Sequence, residues 1–221
     1  MVKRGISLVF LLIFFVSFLY GQDIVSAVRY MEIVSNHYSG IRDFEANVTI
    51  RQGNAESQGR LSYLQPSFLR IDFSRPAEQL IVFNGEALNI YVPDMRAILN
   101  QNLNRRAGTG TGSGLSMLRN NYTPSYFTSP YPEPLDAGSG ERVIKLRLTR
   151  RSGSEAFREI VLSINPETRI IRRMEGRTTG DAEIRFDFTN VRVNVGIPEQ
   201  RFVFDPPHGA NMYQNFLFRV D

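Results

Sequence analysis

Three groups of residues have side chains that could carry chemistry, and each fails on its spacing. The chain has two histidines, His37 in an amphipathic segment and His208 in a Pro206-Pro207-His208-Gly209 turn, and neither has a nucleophile beside it in sequence. Both read as surface residues. Gly108, Gly110, Gly112 and Gly114 alternate, but their spacing is neither that of a phosphate-binding loop nor that of a dinucleotide fingerprint, and no lysine follows to hold a phosphate. They read as a flexible hinge. Glu183, Arg185 and Asp187 fall on one strand face at spacing two, where the arginine between the carboxylates favours a solvated cross-strand charge ladder over an acid pair. No His/Asp/Glu cluster has a metal-ligand spacing. The absence of cysteine rules out disulfides, thiolate metal sites and lipidation at an N-terminal cysteine. The reading is of a protein that is not an enzyme and uses no cofactor.

The first residues point to export. Met1-Val2-Lys3-Arg4 precedes an apolar run from Ile6 to Leu19, broken only by Ser7 and Ser17, and then Tyr20-Gly21-Gln22. A membrane span needs about 20 apolar residues and this run is shorter, so residues 1–21 read as a signal peptide cleaved after Gly21. An uncleaved N-terminal anchor is the alternative, because the site matches the small-x-small rule only loosely. Removing residues 1–21 takes away two basic residues and no acidic ones, so the formal charge falls from +4 to 24 minus 22, or +2. So mild a balance argues against a nucleic-acid partner. Residues 22–221 suit one domain, expected in the periplasm as a monomer.

The elements that must position the remaining residues follow from periodicity. Ile24, Ala27, Val28, Met31, Val34 and Tyr38 recur at intervals of three and four, with Asp23 as a cap and Gly40 beyond the end, which predicts one amphipathic helix. Period-two alternation then begins at Phe44, Ala46, Val48 and Ile50. Strands are predicted at Gln58 to Leu64, Phe68 to Phe73, Gln79 to Phe83, Ala87 to Val92 and Arg96 to Asn102. Asn84-Gly85 between two apolar runs is a hairpin signal whose two central residues are expected at positive φ. The result is an antiparallel meander. Strands resume at Arg142 to Arg150, Phe157 to Asn165, Arg169 to Gly176 and Glu183 to Val195.

Residues 103–140 interrupt the meander. This segment is too long for an ordinary connection and too aromatic for a disordered one, so it reads as a lid. Leu115, Met117, Leu118, Tyr122 and Phe127 would cover an open mouth, with hinges at Gly108 to Gly114 and Gly138 to Gly140.

An apolar sheet face needs a cover, since each exposed Leu- or Phe-sized side chain costs about 1.5–3 kcal/mol relative to burial. Two helical pieces look too small for that task, which leaves room for an apolar ligand. Alternatively Phe68, Phe73, Phe83, Phe186 and Phe188 fill a dry core. Period-two counting assigns to the lining Leu61, Tyr63, Leu69, Ile71 and Phe73 from the first strands. It adds Leu80, Val82, Leu88 and Ile90, and later Ile144, Leu146 and Leu148. A one-residue slip would turn a whole strand's set outward.

The run from Gln58 to Pro76, with Gly59, Leu61, Tyr63, Pro66, Phe68, Asp72 and Phe73, resembles the outer-membrane lipoprotein carrier (LolA-like) family. The resemblance continues through Asn84-Gly85, Leu88, Tyr91 and Pro93 and closes at Phe202-Val203-Phe204-Asp205-Pro206-Pro207-His208-Gly209. It implies an incomplete antiparallel β-barrel of about eleven strands, closed by an N-terminal helix and a helical lid around a cavity for acyl chains. Such carriers take acylated lipoproteins from an inner-membrane ATP-driven transporter to an outer-membrane receptor. Two positions depart from the pattern. Gln65 stands where an arginine latches the lid in some members, and Ile71 where a tryptophan is common, as in a divergent member with a different cargo. A carrier of another lipid and a periplasmic sensor or regulatory module of the same fold are the alternatives. The outer-membrane receptor of this fold is a lipoprotein, which a chain without cysteine does not match.

Overall fold

Ser26 opens the first helix: its Oγ accepts a hydrogen bond from Arg29 N at 3.3 Å. The computed structural model describes residues 25–102, 114–153 and 155–216, so the expected signal peptide, Asp23 and the hinge glycines 108, 110 and 112 lie outside the described residues. Helix α1 (Ala27–Ser39) buries Tyr30, Met31, Val34 and Ser35 along one stripe.

A meander follows: β1 (Asp43–Gln52), β2 (Ala55–Leu64), β3 (Phe68–Arg75), β4 (Ala77–Asn84), β5 (Ala87–Val92) and β6 (Ala97–Asn102). Then come α2 (Gly114–Asn121), β7 (Tyr122–Tyr126), β8 (Glu133–Pro134), β9 (Arg142–Arg150), β10 (Phe157–Ile164), β11 (Ile171–Thr178), β12 (Glu183–Val193) and β13 (Asn211–Gln214). The sheet runs β13-β6-β5-β4-β3-β2-β1-β12-β11-β10-β9-β7, with β8 added beside β9. Its two halves join through the antiparallel β1–β12 pair, where Val48 faces Phe188 and Ile50 faces Phe186. β7 and β13 end the order without meeting, so the sheet curls but does not close. The incomplete barrel therefore has thirteen strands rather than about eleven. Beyond the ten strands read from periodicity stand β7, β8 and β13, which are short; β7 alternates over only Tyr122, Pro124 and Tyr126.

The Asn84-Gly85 hairpin is tighter in its chemistry than expected. Gly85 has φ 89, but Asn84 is not among the residues at positive φ. Instead its side-chain carbonyl accepts from the backbone N–H of Glu86 and Ala87 at 3.1 and 2.8 Å. Only the first central position then needs glycine. Gly59 is required for a different reason: a Cβ there would stand 2.6 Å from Asp72 O and 3.1 Å from Phe73 Cα, at a bulge between β2 and β3.

The chain after β12 returns as a strap across the face of β3 and β4 that is opposite the helices. A 3-10 turn (Glu199–Phe202) drives Phe202 to 1% exposure against the Phe68 ring, with centroids 5.5 Å apart. Arg70 Nη1 donates to the carbonyls of Arg201 and Val203 at 3.3 and 3.4 Å, and Arg201 pairs with Asp72. Phe202→Ala should cost about 3–5 kcal/mol. Urea unfolding of the purified protein measures this, and a loss below about 1 kcal/mol would show that the strap does not stabilise the sheet.

Asp43 ties the start of this return to β1. Its side chain is shut off from solvent, which pushes the carboxyl up. The Arg42 guanidinium and the backbone N–H groups of Gly196, Val195 and Ile197 outweigh burial and hold it below the usual carboxylate value. A depressed folded value means the charge stabilises above the unfolded pKa of about 3.9 and stops doing so as pH falls through the lower folded value. Asp43→Asn should lower the melting temperature at pH 7, and the gap to wild type should narrow as pH falls below about 4. A gap that stays constant from pH 7 to pH 3 would show that the charge contributes nothing.

Candidate functional site

Register divides each strand's side chains between a face that carries the helices and an opposite face. On the helix-bearing side, Leu61 pairs across with Ile71, Ile71 with Ile81, Ile81 with Ile90 and Ile90 with Leu99. A second row runs Tyr63, Leu69, Phe83 and Leu88. No Asp, Glu, Lys or Arg stands at these positions, nor at Phe44, Val48, Ile50, Phe186 and Phe188 of the neighbouring strands.

This face has two unlike halves. Over β7, β9 and β10 the helices seal a dry core in which Met31, Val34, Leu146, Leu148, Leu162 and Ile164 are all 0% exposed. Over β12 and β1 to β4, Val48 is 1% exposed and Leu61, Ile71 and Phe73 are 7%. Phe44, Ile50, Tyr63, Leu69, Ile81, Phe186 and Phe188 are only partly buried around them. Every buried apolar helix side chain belongs to the first cluster; α1 meets the second at its edge, where the Tyr38 ring stands edge-on to Phe44 at 6.5 Å, and the rest of its described lining comes from strand side chains. One half is thus a sealed core, but not one filled by the phenylalanines expected there: Phe73, Phe186 and Phe188 lie on the less covered half, and Phe68 packs against Phe202 on the opposite face.

The residues counted into the lining are distributed accordingly. Leu61, Tyr63, Leu69, Ile71, Phe73, Leu88 and Ile90 lie on the open half. Ile144, Leu146 and Leu148 lie on the same face but in the sealed core beneath α1 and α2. Leu80 and Val82 do not belong to this face. They pair across with Asp72 and Arg70, and Val82 is 0% exposed on the side that the strap crosses. The segment Leu80-Ile81-Val82-Phe83 is apolar on both faces because both are covered, and alternation then carries no sign of which way to turn. Ile81 and Phe83 take the inner positions instead.

Residues 103–140 are not one lid. Residues 103–113 lie outside the described residues. Leu115 is buried in the sealed core, Leu118 packs against it and Met117 is exposed. Tyr122 opens β7 and is buried there, its hydroxyl donating to Phe157 O at 3.0 Å. Phe127 has crossed to the opposite face, where the Arg147 guanidinium sits 4.6 Å from its ring centre. The chain beyond it is pinned there: Asp136 takes two hydrogen bonds from Arg173, at 2.8 and 2.9 Å, and Glu133 pairs with Lys145. Tyr122 and Phe127, five residues apart by number, therefore serve different faces.

Hydrogen bonds rather than charges tie α1 across the sheet. Tyr126 Oη donates to Val25 O at 2.6 Å, and Tyr38 Oη accepts from Ile171 N at 2.9 Å. Burial pushes the Tyr38 hydroxyl up to about 12, so it stays neutral. Gln65 Nε2 donates to Ser39 O at 3.1 Å, reaching the end of α1 with a neutral amide at the position where the resemblance has an arginine.

The opposite face is the polar one. Asp187 accepts from Arg51, Arg173 and Arg185, and Arg177 pairs with Glu183, so the Glu183, Arg185 and Asp187 spacing is the charge ladder expected. A cleft of about 560 Å³ on this side is bordered by Arg51, Arg177, Arg185, Glu159, Glu175 and Glu183. Phe127, Val161 and Ile184 also border it, so six charged groups stand around a smaller apolar patch. No group of three or more His, Asp or Glu side chains is placed to hold a metal among the described residues.

Comparison with known proteins agrees with this architecture. Residues 42–205 match the family described as outer membrane lipoprotein carrier protein LolA. The outer-membrane lipoprotein carrier protein of Dechloromonas aromatica is 30% identical over 179 residues, which cover 77% of this chain and 78% of that one. Among solved structures, a conserved protein from Thermus thermophilus superposes with a TM-score of 0.55 at 13% identity, covering 84% of this chain and 96% of that one. MucB of Pseudomonas aeruginosa, solved in complex with MucA, superposes with a TM-score of 0.50 at 13% identity, over 81% of this chain and 61% of that one. Those two likenesses concern the fold. With the family pattern running from Arg42 to Asp205 through both halves of the sheet, this chain belongs to the LolA family of outer-membrane lipoprotein carriers.

Proposed function

We propose that the protein is a periplasmic carrier that shields the acyl chains of lipoproteins on the open half of its helix-bearing face. The observation that carries this reading is the uncharged apolar surface around Val48, Leu61, Ile71 and Phe73, which no helix seals among the described residues. Acyl chains laid on it would remove both surfaces from water at about 25 cal/mol per Å². No hydrogen bond is needed for that. The leader read in residues 1–21 supports export, with the mature chain beginning at Gln22, and the absence of cysteine leaves the protein to travel unanchored by lipid. On this reading an inner-membrane ATP-driven transporter loads the carrier, and an outer-membrane receptor or the membrane itself receives the cargo.

A second reading, a sensor or regulatory module, draws on the fold shared with MucB, whose structure was solved with MucA. Organic extraction of protein purified from the periplasm distinguishes the two readings. Co-purified lipopeptide favours the carrier, a different lipid favours a carrier of that lipid, and a lipid-free protein with a bound polypeptide favours the module.

A synthetic triacylated lipopeptide, titrated into the mature chain by displacement of a fluorescent fatty acid, tests the surface itself. Leu69→Asp and Ile81→Asp each place a carboxylate where an acyl chain would lie and should weaken binding at least about tenfold, since burying an unpaired charge is costly. Phe127→Asp, on the opposite face, should bind as wild type. Wild-type affinity in both inner-face variants, with their circular dichroism unchanged, would remove this surface as the site.

A further inference from the structure

The two ends of the sheet path are built differently. At one end β7 borders the sealed half. Its Pro124 is buried and has no N–H to offer, Tyr122 and Tyr126 pack into the core, and the Tyr126 hydroxyl is tied to Val25 O at the start of α1. Proline and a covering helix are how sheets blunt an edge, because an unpaired row of N–H and C=O groups is a template for another strand.

At the other end β13 has neither device. Asn211, Met212, Tyr213 and Gln214 include no proline and no charge, and all four are exposed, Tyr213 at 54%. The strand lies parallel to β6, and the backbone N–H groups of Asn211 and Asn215 donate to Arg96 O and Asn100 O at 2.8 and 2.7 Å. Backbone groups alternate in direction along a strand, so those of Met212 and Gln214 turn away from β6. Among the described residues no strand stands on that side.

This edge adjoins the open half of the helix-bearing face. Tyr213 stands beside Leu99 and so ends the inner row of Leu61, Ile71, Ile81, Ile90 and Leu99. A lipoprotein bears its acyl chains on its N-terminal cysteine, so the polypeptide that follows must leave the apolar face across one of its margins. Among the described residues β13 is the margin where the sheet offers that polypeptide unpaired main-chain donors and acceptors.

We propose that the outer edge of β13 is a docking strand for the cargo's own polypeptide, whose first extended residues after the acylated cysteine add to the sheet there. This rests on the carrier reading. Main-chain pairing supplies the affinity. Acyl chains held on the adjoining face keep the polypeptide beside the edge, so the pairing is intramolecular and needs few bonds.

Three probes are titrated into the mature chain by displacement of a fluorescent fatty acid, which reports acyl binding by itself. They are a triacylated cysteine alone, the same cysteine followed by about ten uncharged residues, and that tailed probe with its amides N-methylated. The tailed probe should bind about tenfold more tightly than the bare one, the scale of one or two net hydrogen bonds, and N-methylation should remove the gain. Met212→Pro deletes an outward N–H and leaves the bonds of Asn211 and Asn215 to β6 in place. It should bind the fatty acid as wild type and lose the gain for the tailed probe. If Met212→Pro loses its circular dichroism, the N-methylated probe decides. Equal affinity for the bare and tailed probes, or a gain that survives N-methylation, overturns the docking strand while the carrier reading stands. No binding of the fatty acid or of any acylated probe overturns both. An unacylated peptide that binds as tightly as the tailed probe assigns the edge to a partner other than cargo, and a dimer that Met212→Pro dissociates in sedimentation assigns it to a second copy. Either result overturns the proposal.

Discussion

A sheet that gathers its apolar side chains on one face must have that face covered, and among the described residues the helical layer is too short for the sheet. Helix α1 has 13 residues and α2 has 8. At 1.5 Å per residue α1 is about 20 Å long, which spans some four strands at about 4.8 Å spacing. The sheet path contains twelve strands. Curling brings the far strands closer but cannot make two short helices seal them all. The consequence is the unequal pair of clusters, one sealed to 0% exposure at its centre and one left with a ring of half-buried aromatic and aliphatic groups. Everything proposed for acyl binding depends on that inequality.

The opposite face solves the complementary problem. Strands β1 and β9 to β12 can face water there because their outward side chains pair as Arg51, Arg173 and Arg185 with Asp187, Arg147 with Glu159 and Arg172 with Glu141. Strands β3 and β4 instead carry Val82 outward and need a cover, which the strap supplies through Phe202 and the Arg70, Asp72 and Arg201 cluster. The terminal Phe202-Val203-Phe204-Asp205-Pro206-Pro207 segment of the family pattern thus has a local physical task. It lets the β3–β4 part of this face be apolar, as the segment after Phe127 does over Val143.

That same arrangement decides what can be read from the sequence. Strands with one wet face, such as Arg142 to Arg150, announce both their existence and their orientation, because Ile144, Leu146 and Leu148 alternate with charged neighbours. Their partner layer is invisible to such counting: nothing in Leu146 distinguishes a side chain sealed under Met31 from one open to a ligand. In β4 the strand itself is plain, but Leu80 and Val82 cannot be separated from Ile81 and Phe83 without the register set by Asp72 and Arg70. The segment 103–140 misleads for a related reason. Tyr122 and Phe127 look alike as large aromatic groups, and only pairing with β9 and the Asp136–Arg173 bond send them to different faces.

The two faces also respond to different physical variables. On the polar side, stability contributed by exposed ion pairs is screened by salt, and pairs such as Arg177 with Glu183 are worth little. The ties that hold α1 across the sheet are neutral. Gln65 to Ser39, Tyr126 to Val25 and Ile171 to Tyr38 involve amides, carbonyls and hydroxyls, and the Tyr38 hydroxyl at about 12 does not ionise near neutrality. These bonds, each worth about 1 kcal/mol net, only supplement the burial of Met31 and Val34, which at about 1.5–3 kcal/mol per side chain is the larger hold on α1. With an arginine at position 65 the tie would be charge-assisted and roughly twice as strong. Gln65 therefore makes the tie at the end of α1 weaker than an arginine would, and it keeps that tie independent of ionic strength.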